Sequence, residues 1–340
     1  MRAILSCLIL WSVTIAAVAQ QRPHYTQYIL NNFLVNPAIA GIENYTDLKL
    51  GARQQWVGID GAPSTFYLTV HGALGKKDEK KTATSFEMRG ENPRGKRYWE
   101  EYTAAEPHHG IGLQVSNYRT GYISRSYATA NYAYHLGLTS NTSLAAGFGM
   151  GVSGTSIDRT KIQLANPIDP VITSGTGEWT KISPELNAGL WLYSSSWFAG
   201  ISAQQIIPSK FVLTDSSLNR STAVPHMFAT AGYRTFLNDD ISILPSVMFR
   251  YIASMPLYTD INVKVQYLDR IWVGGSYRVN GGGFAGMAGI NVSQKLNLSY
   301  SYDLNNARYL LSSMQRGTHE IVLGFLLNNS YGDMCPRNVW

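Results

Sequence analysis

Beyond its first nineteen residues the chain has no apolar run approaching the ~18 residues a membrane-spanning helix needs. That excludes a helical membrane protein past the leading segment. Cysteine is almost missing: only Cys7 and Cys335 occur. Cys7 falls in the leading apolar segment, so removal of that segment leaves Cys335 alone and no intramolecular disulfide framework. Charge is scarce as well. Asp, Glu, Lys and Arg make up 15% of the residues, against about a quarter in ordinary soluble domains. The net charge of +6 is modest, and the largest charged cluster, Lys76-Lys77-Asp78-Glu79-Lys80-Lys81, mixes both signs. No strand face is basic, so no nucleic-acid partner is expected.

Catalytic patterns are absent in the same way. There is no HExxH, no Cys/His spacing for zinc and no calcium loop. His108 and His109 are adjacent and would point to opposite faces of a strand. Asp239, Asp240 and Asp303 fall at turns or strand ends, and Gly281-Gly282-Gly283 lacks the strand–turn–helix context of a phosphate loop. No cofactor, metal or catalytic residue is expected, and the chain does not read as an enzyme.

Glycine (31) and tyrosine (21) are abundant, and the mean hydropathy is only −0.11. Met1-Arg2, the apolar run Ala3 to Ala16 and the small residues Ala17-Val18-Ala19 form a signal peptide over 1–19, with cleavage expected near Ala19/Gln20. A retained anchor is the competing reading. Later, Leu257 to Tyr267 alternates strictly. Leu257, Thr259, Ile261, Val263, Val265 and Tyr267 form one row; Tyr258, Asp260, Asn262, Lys264 and Gln266 form the other. Side chains on a strand alternate faces. This segment therefore has an apolar and a polar face, with the length and terminal tyrosines of a tilted strand crossing a bilayer.

Similar segments fall near 46–56, 64–74, 110–117, 122–136, 144–153, 181–192, 197–206, 226–236, 241–252, 257–267, 271–280, 284–292, 295–303 and 318–327. The fold class expected is all-β: a transmembrane antiparallel β-barrel of about 14 strands spanning 46–327. It would carry an N-terminal periplasmic lead-in (20–45) and a short periplasmic C-terminal tail (328–340). Even parity puts both termini on one side, with short turns after strands 4, 6, 8, 10 and 12 and long loops after 5, 7 and 13. The charged stretch 76–107 follows strand 2, so it is either a long periplasmic insert or a sign that parity fails there. Asp260 and Lys264 share a row and are expected to pair loosely across the lumen. The alternative fold is a soluble sandwich, propeller or lectin, whose strands are usually shorter.

Two linked local patterns go beyond composition: Tyr25-Thr26-Gln27-Tyr28 with Asn36-Pro37-Ala38-Ile39-Ala40-Gly41, then Arg53-Gln54-Gln55-Trp56 with Gly58, Gly61, Pro63 and Thr65. Together with the ending Cys335-Pro336 and the terminal Trp340, they resemble the PorP/SprF family, outer-membrane proteins of the type IX secretion and gliding systems of Bacteroidetes-type bacteria. The resemblance implies a non-enzymatic barrel that anchors a type IX-secreted surface protein, such as an adhesin, by its C-terminal region. It also implies a periplasmic peptidoglycan-binding or motor-linked partner, and outer-membrane lipid around the wall. Loops 57–63, 156–180, 207–224 and 304–316 are expected to face the outer partner. A passive diffusion or uptake channel is the competing function, and a surface hydrolase the third.

Individual roles stay open at this level. Asn36, Pro37 and Gly41 form a rigid turn that either plugs or braces the barrel or binds a partner. Arg53 and Gln55, opposite Trp56, either line the lumen or touch a ligand. Trp56 sits in an interface belt or caps the loop after strand 1. Trp340 is an assembly signal or part of a docking tail.

Overall fold

A computed structural model of the chain describes residues 22–75, 104, 106–158, 180–212, 220–238, 240–253, 255–268, 270–280, 283–293, 295–305 and 317–328. The expected signal peptide, most of the 76–107 insert, and the tail with Cys335, Pro336 and Trp340 lie outside the described residues.

Fourteen antiparallel strands close into a barrel. They are β1 (Thr46–Gln54), β2 (Ser64–Leu74), β3 (His108–Thr120), β4 (Ile123–Gly137), β5 (Ser143–Ile157), β6 (Thr180–Tyr193) and β7 (Trp197–Gln204). Next come β8 (His226–Tyr233, resuming at Thr235–Phe236 after Arg234), β9 (Ile241–Ile252), β10 (Tyr258–Tyr267), β11 (Ile271–Arg278), β12 (Gly283–Asn291), β13 (Leu296–Asn305) and β14 (Thr318–Leu327). Each strand pairs with its sequence neighbours, and β14 returns to β1 in a register running from Thr46 opposite Leu327 to Gln54 opposite His319. Closure leaves no sheet edge unpaired, the condition for β-structure inside a bilayer.

The alternation read in β10 is the wall's design rule. Outward-facing Ile261, Val263 and Tyr267 are 44–51% exposed, whereas inward-facing Asp260, Asn262, Lys264 and Gln266 are at most 5% exposed. Apolar outside and polar inside is the inverse of a soluble sandwich, and it suits a wall bathed in lipid.

Short turns at 138–142, 194–196, 237–240, 268–270 and 292–295 occupy one end of the barrel, together with the start of β1 and the close of β14. The other end carries the connections 158–179, 205–225 and 306–317. By the outer-membrane pattern the turn end is periplasmic and the loop end external. Residues 75–107 join β2 to β3 at the turn end, so parity holds across the insert.

Several sequence expectations need correction. Strand 1 stops at Gln54 rather than running to Trp56, because Trp56 adopts a left-handed backbone with φ of 47° that a strand cannot continue through. Residues 207–224, expected to be an irregular loop, contain a two-stranded ribbon pairing Ser209–Val212 with Arg220–Ala223. Asp260 pairs with His24, at 2.9 Å. The largest difference concerns the lead-in. Residues 22–45 lie inside the lumen and are nearly all buried, instead of hanging in the periplasm. The two larger apolar clusters among the described residues form around this segment: Phe33, Ile39, Trp191 and Phe198 in one, Tyr25, Tyr28, Leu34 and Met248 in the other. Phe33, Leu34 and Ile39 have no outward face to occupy, so burial against the inner wall is how they leave water.

Candidate functional site

The lumenal segment runs from the loop end to the turn end. Arg22 pairs with Glu185 and donates to Gln204, the last residue of β7, while Ala40 and Gly41 contact β3 and β4 at their opposite ends. Three 3₁₀ turns, Thr26–Leu30, Asn32–Leu34 and Pro37–Ile39, carry it downward. A regular helix is denied by Pro37 and by the β-region backbone of Asn36 that precedes it.

The motif Asn36 to Gly41 is fixed by chemistry that needs these residue types. Asn36 caps the last turn by accepting from the Ala38 N–H at 3.0 Å. Its amide nitrogen donates to the carbonyls of Leu190 at 3.0 Å and Ile201 at 3.2 Å, on β6 and β7. Only an amide offers an acceptor and two donors at one side-chain end. The wall beneath is built of glycine. A Cβ on Gly147 would stand 2.3 Å from Ala38, on Gly189 2.1 Å from Asn36 Oδ1, and on Gly110 1.8 Å from the Ala40 carbonyl oxygen. Gly41, at φ of 76°, lies against Gly110 where its own Cβ would come within 2.4 Å. Stacked His108 and His135, 4.5 Å apart, then engage the carbonyls of Gly41 and Ala40 through their Nε2 atoms.

An Asn36→Ala variant loses all three bonds and leaves the buried Ala38 N–H without its acceptor. It should cost about 1–3 kcal/mol, read by urea unfolding in micelles. Asn36→Asp keeps the cap but sets a carboxylate beside two carbonyl oxygens, and should cost more than alanine.

At the loop end a charged node pins the start of the segment. Arg53 on β1 reaches Asp303 of β13 at 2.6 Å and Glu320 of β14 at 2.8 Å, and Arg278 of β11 reaches Asp303 at 3.1 Å. Two cations meet two anions, so the node is neutral. Thr26 stands at its centre: its hydroxyl accepts from Arg53 and Arg278, each at 2.6 Å, and donates to Asp303, while its N–H donates to Glu320 at 2.8 Å. Gln27 donates to the Glu320 carbonyl at 2.8 Å, Tyr67 donates to the Glu320 carboxylate at 2.9 Å, and Tyr25 packs edge-on against Tyr67. Tyr28 accepts from Asn262 of β10. His24 meets the Asp260 carboxylate through Nε2 at 2.9 Å.

The second motif forms the mouth above this node. The Gln55 N–H donates to the Pro63 carbonyl at 2.8 Å and closes the loop, and the Gly61 carbonyl accepts from Gly121 at 2.8 Å. Gly58 and Gly61 take φ of 98° and 70°, open only to glycine without strain. Trp56 takes φ of 47° without that freedom, a strain of about 1–2 kcal/mol, and is 37% exposed at the mouth. Gln55 lies past the strand and is half-buried, and Thr65 is buried on β2.

Tyr25, Gln27, Tyr28, Asn36, Pro37, Ala38, Gly41 and Arg53 therefore meet in one continuous plug and its sockets. Gln55, Trp56, Gly58, Gly61 and Pro63 form a separate loop at the mouth. Sequence reasoning missed Thr26, Asp303, Glu320, Arg278, His135 and the glycines 110, 147 and 189. Acids in the inward row of sparsely charged strands were the available signal for Asp303 and Glu320. Among the described residues, no group of three His, Cys, Asp or Glu side chains is placed to hold a metal.

Comparison with known proteins completes the picture. The sequence profile of the family described as "Type IX secretion system membrane protein PorP/SprF" matches residues 17–325. No curated protein sequence matches significantly. Among solved structures the barrel is similar to the Acinetobacter baumannii outer membrane protein Omp33, with 8% identity and a TM-score of 0.47 over 84% of this chain and 100% of that one. It is also similar to the Ralstonia pickettii toluene transporter TbuX, with 9% identity and a TM-score of 0.47 over 87% and 92% of the two chains. Likeness this low transfers no activity. The profile match, by contrast, spans nearly the whole chain, plug and barrel together: the chain belongs to the PorP/SprF family of type IX secretion system membrane proteins, and it is an outer-membrane β-barrel.

Proposed function

We propose that this protein is a non-enzymatic anchor that retains a type IX-secreted surface protein, such as an adhesin, and couples it to periplasmic machinery. The observation that carries this reading is the filled lumen. Residues 22–45 bury two apolar clusters and a neutral four-charge node inside the barrel, which leaves a diffusion pathway nowhere to run. A barrel closed in this way can still present surfaces at both ends.

The outer partner's C-terminal region is assigned to loops 57–63, 156–180, 207–224 and 304–316, with exposed Trp56 at the rim. The periplasmic side is assigned to the turns, the 76–107 insert and the 328–340 tail with Cys335, Pro336 and Trp340. The lead-in drops out of that set, since it is occupied inside the barrel. Export on this reading removes residues 1–19, which N-terminal sequencing of the purified protein would check.

Affinity capture from membranes tests the anchor. One large exported protein should co-purify and be lost when the outer loops are replaced. The competing channel reading makes the opposite demand. A steady conductance of the intact protein in planar bilayers, with no exported partner recovered, would sink the anchor.

A further inference from the structure

The lipid-facing side of the wall is hollowed over β5 to β9. The space is about 650 Å³, within the ~300–1,000 Å³ range of ligand pockets. Its floor is alanine: Ala146, Ala188, Ala203 and Ala229, one from each of β5 to β8. Two residues along each strand, the same outward row holds exposed Phe148, Leu190, Ile201 or Met227. The alanines therefore make a local depression in an otherwise bulky surface. Among the described residues, no charged side chain lines it.

Register fixes its shape. Ala146, Leu190, Ile201, Ala229 and Phe249 are cross-strand partners in one line, and Ala188, Ala203, Met227 and Tyr251 form the next. The hollow thus crosses five strands, four inter-strand spacings or ~19 Å. Strands of outer-membrane barrels tilt by about 35–45°, so a line across them climbs obliquely through the bilayer. Ala146 lies near the turn-end start of β5, whereas Tyr251 is next to Ile252, the loop-end close of β9. The inner side of this sector carries the plug. Gly147 and Gly189, which bear Ala38 and Asn36, also line the hollow, so the wall there is one backbone thick.

We propose that this hollow binds one acyl chain of an outer-leaflet lipid, which enters beside Tyr251 and lies across β8 to β5. A leaflet is ~15 Å deep, half of the ~30 Å hydrocarbon core, so the hollow is long enough for one extended chain. An empty hollow forfeits dispersion contacts along its whole lining, and water finds too few polar partners there to replace them. Hydrocarbon already bathes the rest of the outward face, and the hollow is continuous with it. A chain seated here touches protein on several sides, where a chain on the bulky wall touches it on one. A second copy of the barrel would bring a convex wall that cannot fill a concavity. Half-exposed Tyr251 supplies an aromatic with a polar tip at the upper end, the type that sits at headgroup level. The site is independent of the anchor reading, because it concerns the lipid face of the wall and not what the loops hold.

Native mass spectrometry of the purified protein, delipidated in micelles and then given dimyristoyl phosphatidylethanolamine, tests this directly. One lipid per barrel should stay bound after the detergent is stripped away. Ala188→Phe and Ala203→Phe fill the hollow from its floor, and each should lose that adduct. Ala52→Phe is the control. It fills a separate outward hollow of about 390 Å³ over β14 to β3 and should keep the adduct. All three side chains point into lipid, and heat-modifiable migration on gels reports that each barrel is folded. No retained lipid, equal retention by folded Ala188→Phe, or loss in Ala52→Phe alone would overturn the site and leave ordinary exchanging lipid around the wall. A barrel dimer that Ala188→Phe separates would overturn it in favour of a second copy.

Discussion

Replacing Arg53 with alanine should destabilise the barrel by about 3–5 kcal/mol, the usual cost of stripping one partner from a buried ion pair. Asp303 and Glu320 have fully buried side chains, and Arg53 is the only cation within ion-pair distance of Glu320 among the described residues. Without it, Thr26 and Tyr67 would remain as neutral donors to a carboxylate that has lost its charge partner. Urea unfolding in micelles measures the loss. A double variant separates charge from packing. Arg53→Met with Glu320→Gln removes one charge of each sign and leaves the Arg278–Asp303 pair intact. It should recover much of the stability, because neutral replacement of a buried pair is often close to neutral. A double variant no better than Arg53→Ala would show that shape, not charge, holds the node.

Substituting valine for Gly110 should open the lumen. The new Cβ would stand 1.8 Å from the Ala40 carbonyl oxygen, a backbone atom that no rotamer change can move aside. If the plug stayed seated, overpacking would cost about 1–3 kcal/mol or more. The plug is held by discrete contacts and is continuous with the wall only where β1 begins, so displacing it is the softer response. The expected readout is conductance in planar bilayers where the parent protein shows none, together with protease sensitivity of the plug. Gly286→Val is the control, since a Cβ there meets nothing within 4 Å. A closed, protease-resistant Gly110→Val protein would show that the wall yields instead.

Both variants act on residues whose importance was only half legible beforehand. Arg53 stood out through its motif and its inward position on strand 1, but lumen lining and ligand contact both remained open. The difference lay in partners 250 and 267 residues away along the chain, which no local pattern names. Gly110 was harder to see. Glycine is common in this chain, and an inward glycine bearing the plug looks like any other inward glycine in sequence. The motif Asn36 to Gly41 was legible as a rigid turn, and that was correct. Plugging the barrel was one of the two readings open for that turn, while the segment as a whole was placed in the periplasm, because a polar, proline-bearing segment before the first strand resembles an exposed lead-in when the wall around it is unseen.

What the sequence determined by itself was the wall. Alternation with a period of two is a local property of each segment, so strand positions, the lipid-facing rows, the even strand number and the side carrying the short turns all followed from it. Tertiary structure alone decided the interior. Which inward residues meet across the lumen depends on closure of β1 on β14 and on the register of every pair between them. One residue of slip would turn each side chain to the opposite face. Only with that register set do Arg53, Arg278, Asp303 and Glu320 converge on Thr26, and only then do three glycines on separate strands become one bed for the plug.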